Sequence, residues 1–121
     1  MPNVLEFRVP REKSLEKYLK KLYQEILNDN FFDFEDDLIK MAYYGQKQGE
    51  FFRLFREYQE ISPEKLSQEI GLTVVEVLEI ESGQYVPDEY ITALYAEAIG
   101  ANHEMDFFLN FFDETAINSL F

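Results

Sequence analysis

Few side chains in this sequence could act as catalysts. The 121 residues include a single histidine, His103, and no cysteine, which excludes a thiol nucleophile, a thiolate ligand and a disulfide within this chain. His103 has no second histidine or nucleophile motif beside it, and such a residue is usually a surface or capping residue. A phosphate-binding glycine loop is also missing from the sequence. We therefore predict a protein that is not an enzyme and that has no cofactor, metal ion or small-molecule substrate.

Acidic residues are concentrated in one short stretch, Asp33-Phe34-Glu35-Asp36-Asp37. Carboxylate oxygens could bind a divalent cation, but this stretch lacks the alternating ligands and the turn glycine of a calcium loop. Acids in the first turn of a helix interact favourably with the helix dipole. The stretch therefore predicts the start of a helix and not a metal site.

Basic residues gather near the N-terminus, and these are the residues that could contact phosphate. Six of the eleven Lys and Arg residues lie within 1–27: Arg8, Arg11, Lys13, Lys17, Lys20, Lys21. Flexible basic arms can hold DNA in this way. Acids are interleaved with these residues, however, so a solvated helix face with Glu-to-Lys pairs is the favoured interpretation.

The remainder of the chain is acidic. The formal net charge is −13, and the residues after Lys65 include eleven acids and no Lys or Arg. Proteins bind a duplex mainly by pairing its phosphates with Lys and Arg. This charge distribution leaves DNA possible as a partner but disfavours it.

The composition is that of a folded protein. Apolar residues make up 46% and aromatic residues 17% of the chain, so burial can offset the entropy cost of ordering. The length allows one compact domain with an extension. No apolar run is long enough to span a membrane, and the start has no signal sequence. We expect a cytoplasmic protein that does not enter a membrane.

The pattern of residues 1–49 predicts two amphipathic helices. Ser14 is a candidate N-cap, because apolar residues follow it at helical spacing: Leu15, Tyr18, Leu19, Leu22, Ile26. A second helix is predicted over about 33–44. Gly45 and Gly49 should loosen the chain before the next helix, although one long bent helix is an alternative. Such a pair cannot bury its apolar faces alone, so it must pack on the rest of the chain or on another copy.

Residues 50–112 contain sharper helix boundaries. Capping signals occur at Ser62-Pro63, at Thr73-Val-Val-Glu76 and at Pro87-Asp88. Stop signals occur at three glycines: Gly71, Gly83, Gly100. These boundaries predict helices over about 51–59, 63–70, 74–82, 89–99 and 104–112. No strand pattern appears, so the fold class is all-α.

This series of helices resembles the lambda-repressor-like, Cro/CI-type (XRE) helix-turn-helix family over about half the chain. The stretches that carry the resemblance are Phe52-Arg-Leu-Phe-Arg56, Leu66-Ser-Gln-Glu-Ile-Gly-Leu-Thr73, Ile80-Glu-Ser-Gly83 and Ala98-Ile-Gly-Ala101. The resemblance implies a five-helix domain over 50–112, preceded by a helical extension over 1–49 and followed by a tail over 113–121. It also implies an ion pair between Arg56 and Glu81, while helical periodicity brings Leu66 and Ile70 against Val77 and Ile80.

Several positions that contact DNA in the family have lost their chemistry here. Val74, Val75 and Glu79 stand where the family usually has polar or basic residues that reach base edges. Pro63 replaces a phosphate-contacting Gln and lacks an N–H. The loop Gln84-Tyr85-Val86, often basic in the family, has no cation. The resemblance therefore implies a helix-turn-helix in which direct DNA reading is weakened or lost.

The same helix face offers a different use. Val74, Val75 and Leu78 should project together, with Glu76 and Glu79 at their rim. An exposed apolar patch with a polar rim commonly marks a protein contact. The alternative is that the N-terminal helices cover the two valines, which would then be core residues.

These observations predict a Cro/CI-type regulatory protein that acts through contacts with an unidentified protein partner. A sequence-specific DNA-binding regulator, either a repressor or antitoxin-like, is the alternative, and an acidic mimic of DNA is a variant of the first. We also predict a homodimer, because the N-terminal helices and the Phe-rich region 107–121 carry more apolar surface than one small domain can bury.

Overall fold

The computed structural model describes the backbone of residues 11–120 and the side chains of residues 15–112 apart from Phe32. The secondary structure of this part is helical throughout: α1 (Arg11–Asn28), a 3-10 turn (Phe31–Asp33), α2 (Asp37–Tyr58), α3 (Pro63–Ile70), α4 (Val74–Ser82), α5 (Glu89–Ala98) and α6 (Asn102–Leu120). The predicted all-α class is confirmed. Among these helices, none is both long and apolar enough to cross a membrane.

The helix boundaries in the second half follow the capping signals. Ser62 accepts a hydrogen bond from the backbone N–H of Lys65, and Thr73 and Glu76 form the predicted capping box. The glycine after α3, Gly71, has φ 77°, a conformation in which a Cβ would be strained. The acidic stretch leads into α2, but the helix begins at Asp37 and not at about residue 33 as predicted. The Asp36 carboxylate accepts hydrogen bonds from the N–H groups of Leu38 and Ile39, whereas Asp33 lies in the 3-10 turn.

Both terminal helices are longer than predicted. Helix α1 begins at Arg11, so Ser14 lies inside the helix and does not cap it. Helix α6 begins at Asn102 and continues to Leu120, through most of the region 113–121 that was expected to form a tail. The sequence after Phe112 has no glycine or proline that would end the helix.

Helix α2 is a single helix of 22 residues that runs through both of its glycines. The long-helix alternative is therefore the observed one, and the expected boundary between residues 49 and 50 falls inside α2. The glycines serve close packing. A Cβ added at Gly49 would lie 2.6 Å from the carbonyl oxygen of Ile80 and 2.5 Å from that of Glu81. The backbone of α2 can thus pack directly against the backbone of the last turn of α4, because Gly49 has no side chain.

We expect Gly49→Ala to destabilise the protein by about 1–3 kcal/mol, because backbone atoms of α4 would have to move to make room. Helix propensity alone predicts the opposite sign, a gain of about 1 kcal/mol. The matched control is Ala42→Gly at an exposed position of α2, which reports propensity without packing. Urea unfolding measures both, and a stabilised Gly49→Ala protein would contradict the close packing.

The core joins every helix. Helices α1 and α6 pack on α2 as one group, and α3, α4 and α5 form a second group, in which α4 makes the closest approach to α2. Adjacent residues of α2 serve both groups, since Phe51 contacts Phe108 of α6 and Phe52 stacks on Tyr95 of α5 at 4.1 Å between ring centroids. The N-terminal helices therefore bury part of their apolar surface on the same chain, while Leu38, Ile39 and Met41 at the start of α2 stay exposed.

Candidate interaction face on helix α4

Helices α3 and α4 pack against each other across a short turn. Leu66 and Ile70 of α3 and Val77 and Ile80 of α4 are all buried, as the periodicity predicted. The turn between the helices is tight, because the N–H groups of Gly71 and Leu72 both donate to the carbonyl oxygen of Ser67 at 3.0 Å. With this side of α4 in the core, the opposite side faces outward.

A buried polar cluster fixes the orientation of α4. The Arg56 guanidinium donates from Nε to Glu81 Oε2 at 2.7 Å and from Nη2 to Oε1 at 3.0 Å. It also donates from Nη1 to the carbonyl oxygen of Ile61 at 2.8 Å. The two charged side chains are only 9% and 4% exposed. The ion pair that the resemblance implied is thus formed, and it connects α2 to the C-terminal half of α4.

Tyr95 is a third member of this cluster, and its role was not predicted from the sequence. Its hydroxyl donates to Glu81 Oε2. Burial, and then the hydrogen bond to Glu81, raise the pKa of the Tyr95 hydroxyl, so this group remains a donor. The hydrogen bonds to Glu81 likewise hold the pKa of Arg56 above its usual value, against the effect of burial. A buried glutamate needs several donors, and that requirement was the available signal that Glu81 has a second partner besides Arg56.

The outward face of α4 is apolar and open. Val75 is 64% exposed and Leu78 is 47% exposed, while Val74 is half-buried. The alternative in which the N-terminal helices cover the valines is therefore wrong. Helix α2 approaches α4 from the opposite side, against the backbone of Ile80 and Glu81, and so cannot reach this face.

Acidic groups lie beside these apolar side chains. Glu76 and Glu79 are half-buried at the flanks of the face. Glu76 is partly engaged, because its Oε1 accepts a hydrogen bond from the N–H of Thr73 at 2.8 Å. The carboxylate of Glu79 is not part of this cap.

The flanking positions continue the same chemistry. The N–H groups of Gln84 and Tyr85 both donate to the carbonyl oxygen of Glu79, at 2.9 and 3.3 Å, so this loop folds back on the end of α4. The Tyr85 side chain is 45% exposed there. Pro63, at the first position of α3, is half-buried and offers no N–H. Lys65 is the only base on α3 and α4.

The remaining residues that the sequence analysis singled out lie elsewhere. His103 is exposed in the first turn of α6. Lys17, Lys20 and Lys21 are exposed on α1, and Lys20 Nζ lies 3.7 Å from Glu16 Oε1, a pair of the predicted kind. Arg8, and the side chains of Arg11 and Lys13, lie outside the described residues. Within the described residues, no group of three or more potential metal ligands comes together.

Comparisons with protein-family models, with curated proteins and with solved structures find no match to this chain. The geometry and the charge of the α4 face are therefore the grounds on which a function can be proposed.

Proposed function

We propose that this chain is a helix-turn-helix regulatory protein of the Cro/CI type in which the outward face of α4 binds a protein. The observation that carries the proposal is the exposure of Val75 and Leu78 at the centre of that face. Apolar side chains left in water beside polar ones favour burial against a partner, at roughly 25 cal/mol for each Å² covered.

DNA is the partner that this face suits least. A major groove presents hydrogen-bond donors and acceptors, and a reader needs side chains that pair with them. Val75 and Leu78 can offer only apolar contact, such as with a thymine methyl group. Glu79 would bring a negative charge close to phosphates, and no base on α4 can compensate for it.

A DNA-binding regulator is the second candidate, and one observation favours it. Helix α4 stands clear of the other helices on its outer side, as a helix must if it is to enter a groove. In that case the phosphate contacts would have to come largely from Lys65 and from the exposed lysines of α1.

We expect no enriched site when the protein is used to select from a pool of random duplexes at about 0.15 M salt. Each bidentate base contact is worth roughly 1–3 kcal/mol, and the outward residues of α4 cannot make the usual ones. Recovery of one palindromic site with submicromolar affinity would instead establish the second candidate. Its affinity should then fall steeply with salt and depend on Lys17 and Lys20.

The double variant Val75→Asp with Leu78→Asp provides a control for folding in binding measurements. Because Val75 and Leu78 are exposed, changing both to aspartate should alter the free energy of unfolding by no more than about 0.5 kcal/mol each. That variant separates loss of a contact from loss of structure in any binding measurement.

A further inference from the structure

A cavity of about 630 Å³ lies between α2, the loop 83–88, α5 and α6. Cavities of roughly 300–1,000 Å³ are typical of sites for small molecules. The residues that line it come from four separate segments, so no spacing along the chain indicates it. None of them belongs to α4. The cavity is thus separate from the α4 face, and the function proposed above does not account for it.

The floor of the cavity is apolar. Pro87, Ala96 and Met105 line it and are buried. Ala93 lies one turn before Ala96 on α5, lines the cavity as well and is exposed, which places it near the mouth. The two alanines take up little room, and this leaves space between α5 and α2. An apolar floor of this kind favours a ligand with an apolar body.

A buried amide side chain lines the same cavity. Gln48 is 2% exposed, and its Nε2 donates to the hydroxyl of Tyr44 at 2.8 Å. No described residue donates a hydrogen bond to the other end of this amide, Oε1. A buried acceptor without a donor is destabilising, and such groups often have a functional explanation. A ligand N–H group in the cavity would supply the missing donor.

The charge around the mouth is negative. Glu89 and Asp106 line the cavity and are both exposed. No described Lys or Arg lines it, and α5 and α6 contain neither residue type. Lys47, which precedes Gln48 on α2, lies instead beside two glutamates at 3.6 and 3.8 Å. The mouth therefore attracts a cation and repels an anion.

We propose that this cavity binds a small organic cation that consists of an aromatic or other apolar body and a protonated amine. The body packs on the floor beside Ala96 and Met105, and Gln48 Oε1 accepts a hydrogen bond from an N–H of the ligand. The ammonium group, which has donors only, lies at the mouth near Glu89 and Asp106. The concave shape between four segments suits a small molecule better than a protein surface.

Three indole compounds of nearly equal size test the proposal: tryptamine is a cation, tryptophol is uncharged and indole-3-propionate is an anion. Because the chain has no Trp, indole fluorescence excited beyond the tyrosine band reports on the ligand alone. At neutral pH and low salt, tryptamine should bind at least about fivefold more tightly than tryptophol. Indole-3-propionate should bind more weakly than either, and salt should reduce the preference for tryptamine.

Filling the cavity tests where the ligand lies. Ala93→Phe places a ring at the mouth and should abolish the binding of tryptamine. Ala42→Phe, at an exposed position of α2 outside the cavity, is the matched control and should leave it unchanged. Circular dichroism confirms that each variant is folded.

Polar variants test the two parts of the ligand separately. Asp106→Asn with Glu89→Gln should remove the preference for tryptamine over tryptophol. Glu97→Gln with Glu69→Gln makes the same change of charge at exposed positions outside the cavity, and should keep the preference. Gln48→Leu should weaken both compounds by about fivefold, because both carry the indole N–H.

Absence of tryptamine binding at about 1 mM, or equal binding of the three compounds, overturns the proposal. Binding that survives Ala93→Phe also overturns it, because the ligand would then lie elsewhere. Val75→Asp with Leu78→Asp should not change the binding of tryptamine, since the α4 face does not line the cavity. The cavity and the α4 face are therefore tested independently of each other.

Discussion

Replacing Arg56 with methionine is expected to destabilise the protein by about 3–5 kcal/mol, because it leaves the Glu81 carboxylate charged and buried without its cation. The substitution removes both guanidinium donors to Glu81 and the donor to the carbonyl oxygen of Ile61. Among the described residues, the Tyr95 hydroxyl is then the one side-chain donor left to Glu81. Urea unfolding followed by circular dichroism at the helical band measures the loss.

Two further variants serve as controls for Arg56→Met. Arg53→Met, on the exposed side of the same helix, should change the stability by no more than about 0.5 kcal/mol. The triple variant Arg56→Met, Glu81→Leu, Tyr95→Phe removes both charges and the hydroxyl together, and it should recover most of the stability. A loss below about 1 kcal/mol for Arg56→Met alone would mean that water reaches Glu81, contrary to its burial.

The sequence was most informative where chemistry is local. Ser62, Thr73 and Glu76 act within a few residues of their own positions, so a capping signal could be recognised without knowledge of the fold. The Arg56–Glu81 pair is not local, and it was expected only because the resemblance implied it. Tyr95 reaches the same carboxylate from another helix, and no spacing along the chain indicates that contact.

The glycines of α2 show the opposite situation. Local propensity makes Gly45 and Gly49 weak points of a helix, and on that basis a loosened stretch was predicted, with one long bent helix as the alternative. Tertiary packing has the opposite effect at Gly49, because this residue lies against the backbone of α4. A residue with a side chain would not fit at this position. A helix propensity cannot reveal which of these two roles a glycine has.

The α4 face illustrates a third limit. The sequence placed Val75 and Leu78 on one side of a helix, but two predictions remained open, because a valine in the core and a valine at a contact follow the same periodicity. Only the path of α2, on the other side of α4, decides between them.

Phe108→Ala is expected to cost about 3–5 kcal/mol and to weaken every helix to the same extent. The ring is fully buried, with centroid distances of 4.9 Å to Phe51 and 6.2 Å to Tyr23. It therefore joins α1, α2 and α6. Phe107→Ala on the same helix is the matched control, because that ring is 61% exposed and its loss should cost less than about 1 kcal/mol.

The loss of stability at Phe108 should be shared by all helices, because the chain is expected to unfold cooperatively. Helix α2 belongs to both groups of helices, since Phe51 faces α6 while Phe52 stacks on Tyr95, so a defect at Phe108 should reach α4 through α2. Amide hydrogen exchange measures this directly, because amides that exchange only by global unfolding lose the same free energy of protection. Equal losses in α1 and α4 would mean that the N-terminal helices fold as one unit with α3, α4 and α5. Protection retained in α4 but lost in α1 would contradict this and would restore an independent domain over about 50–112.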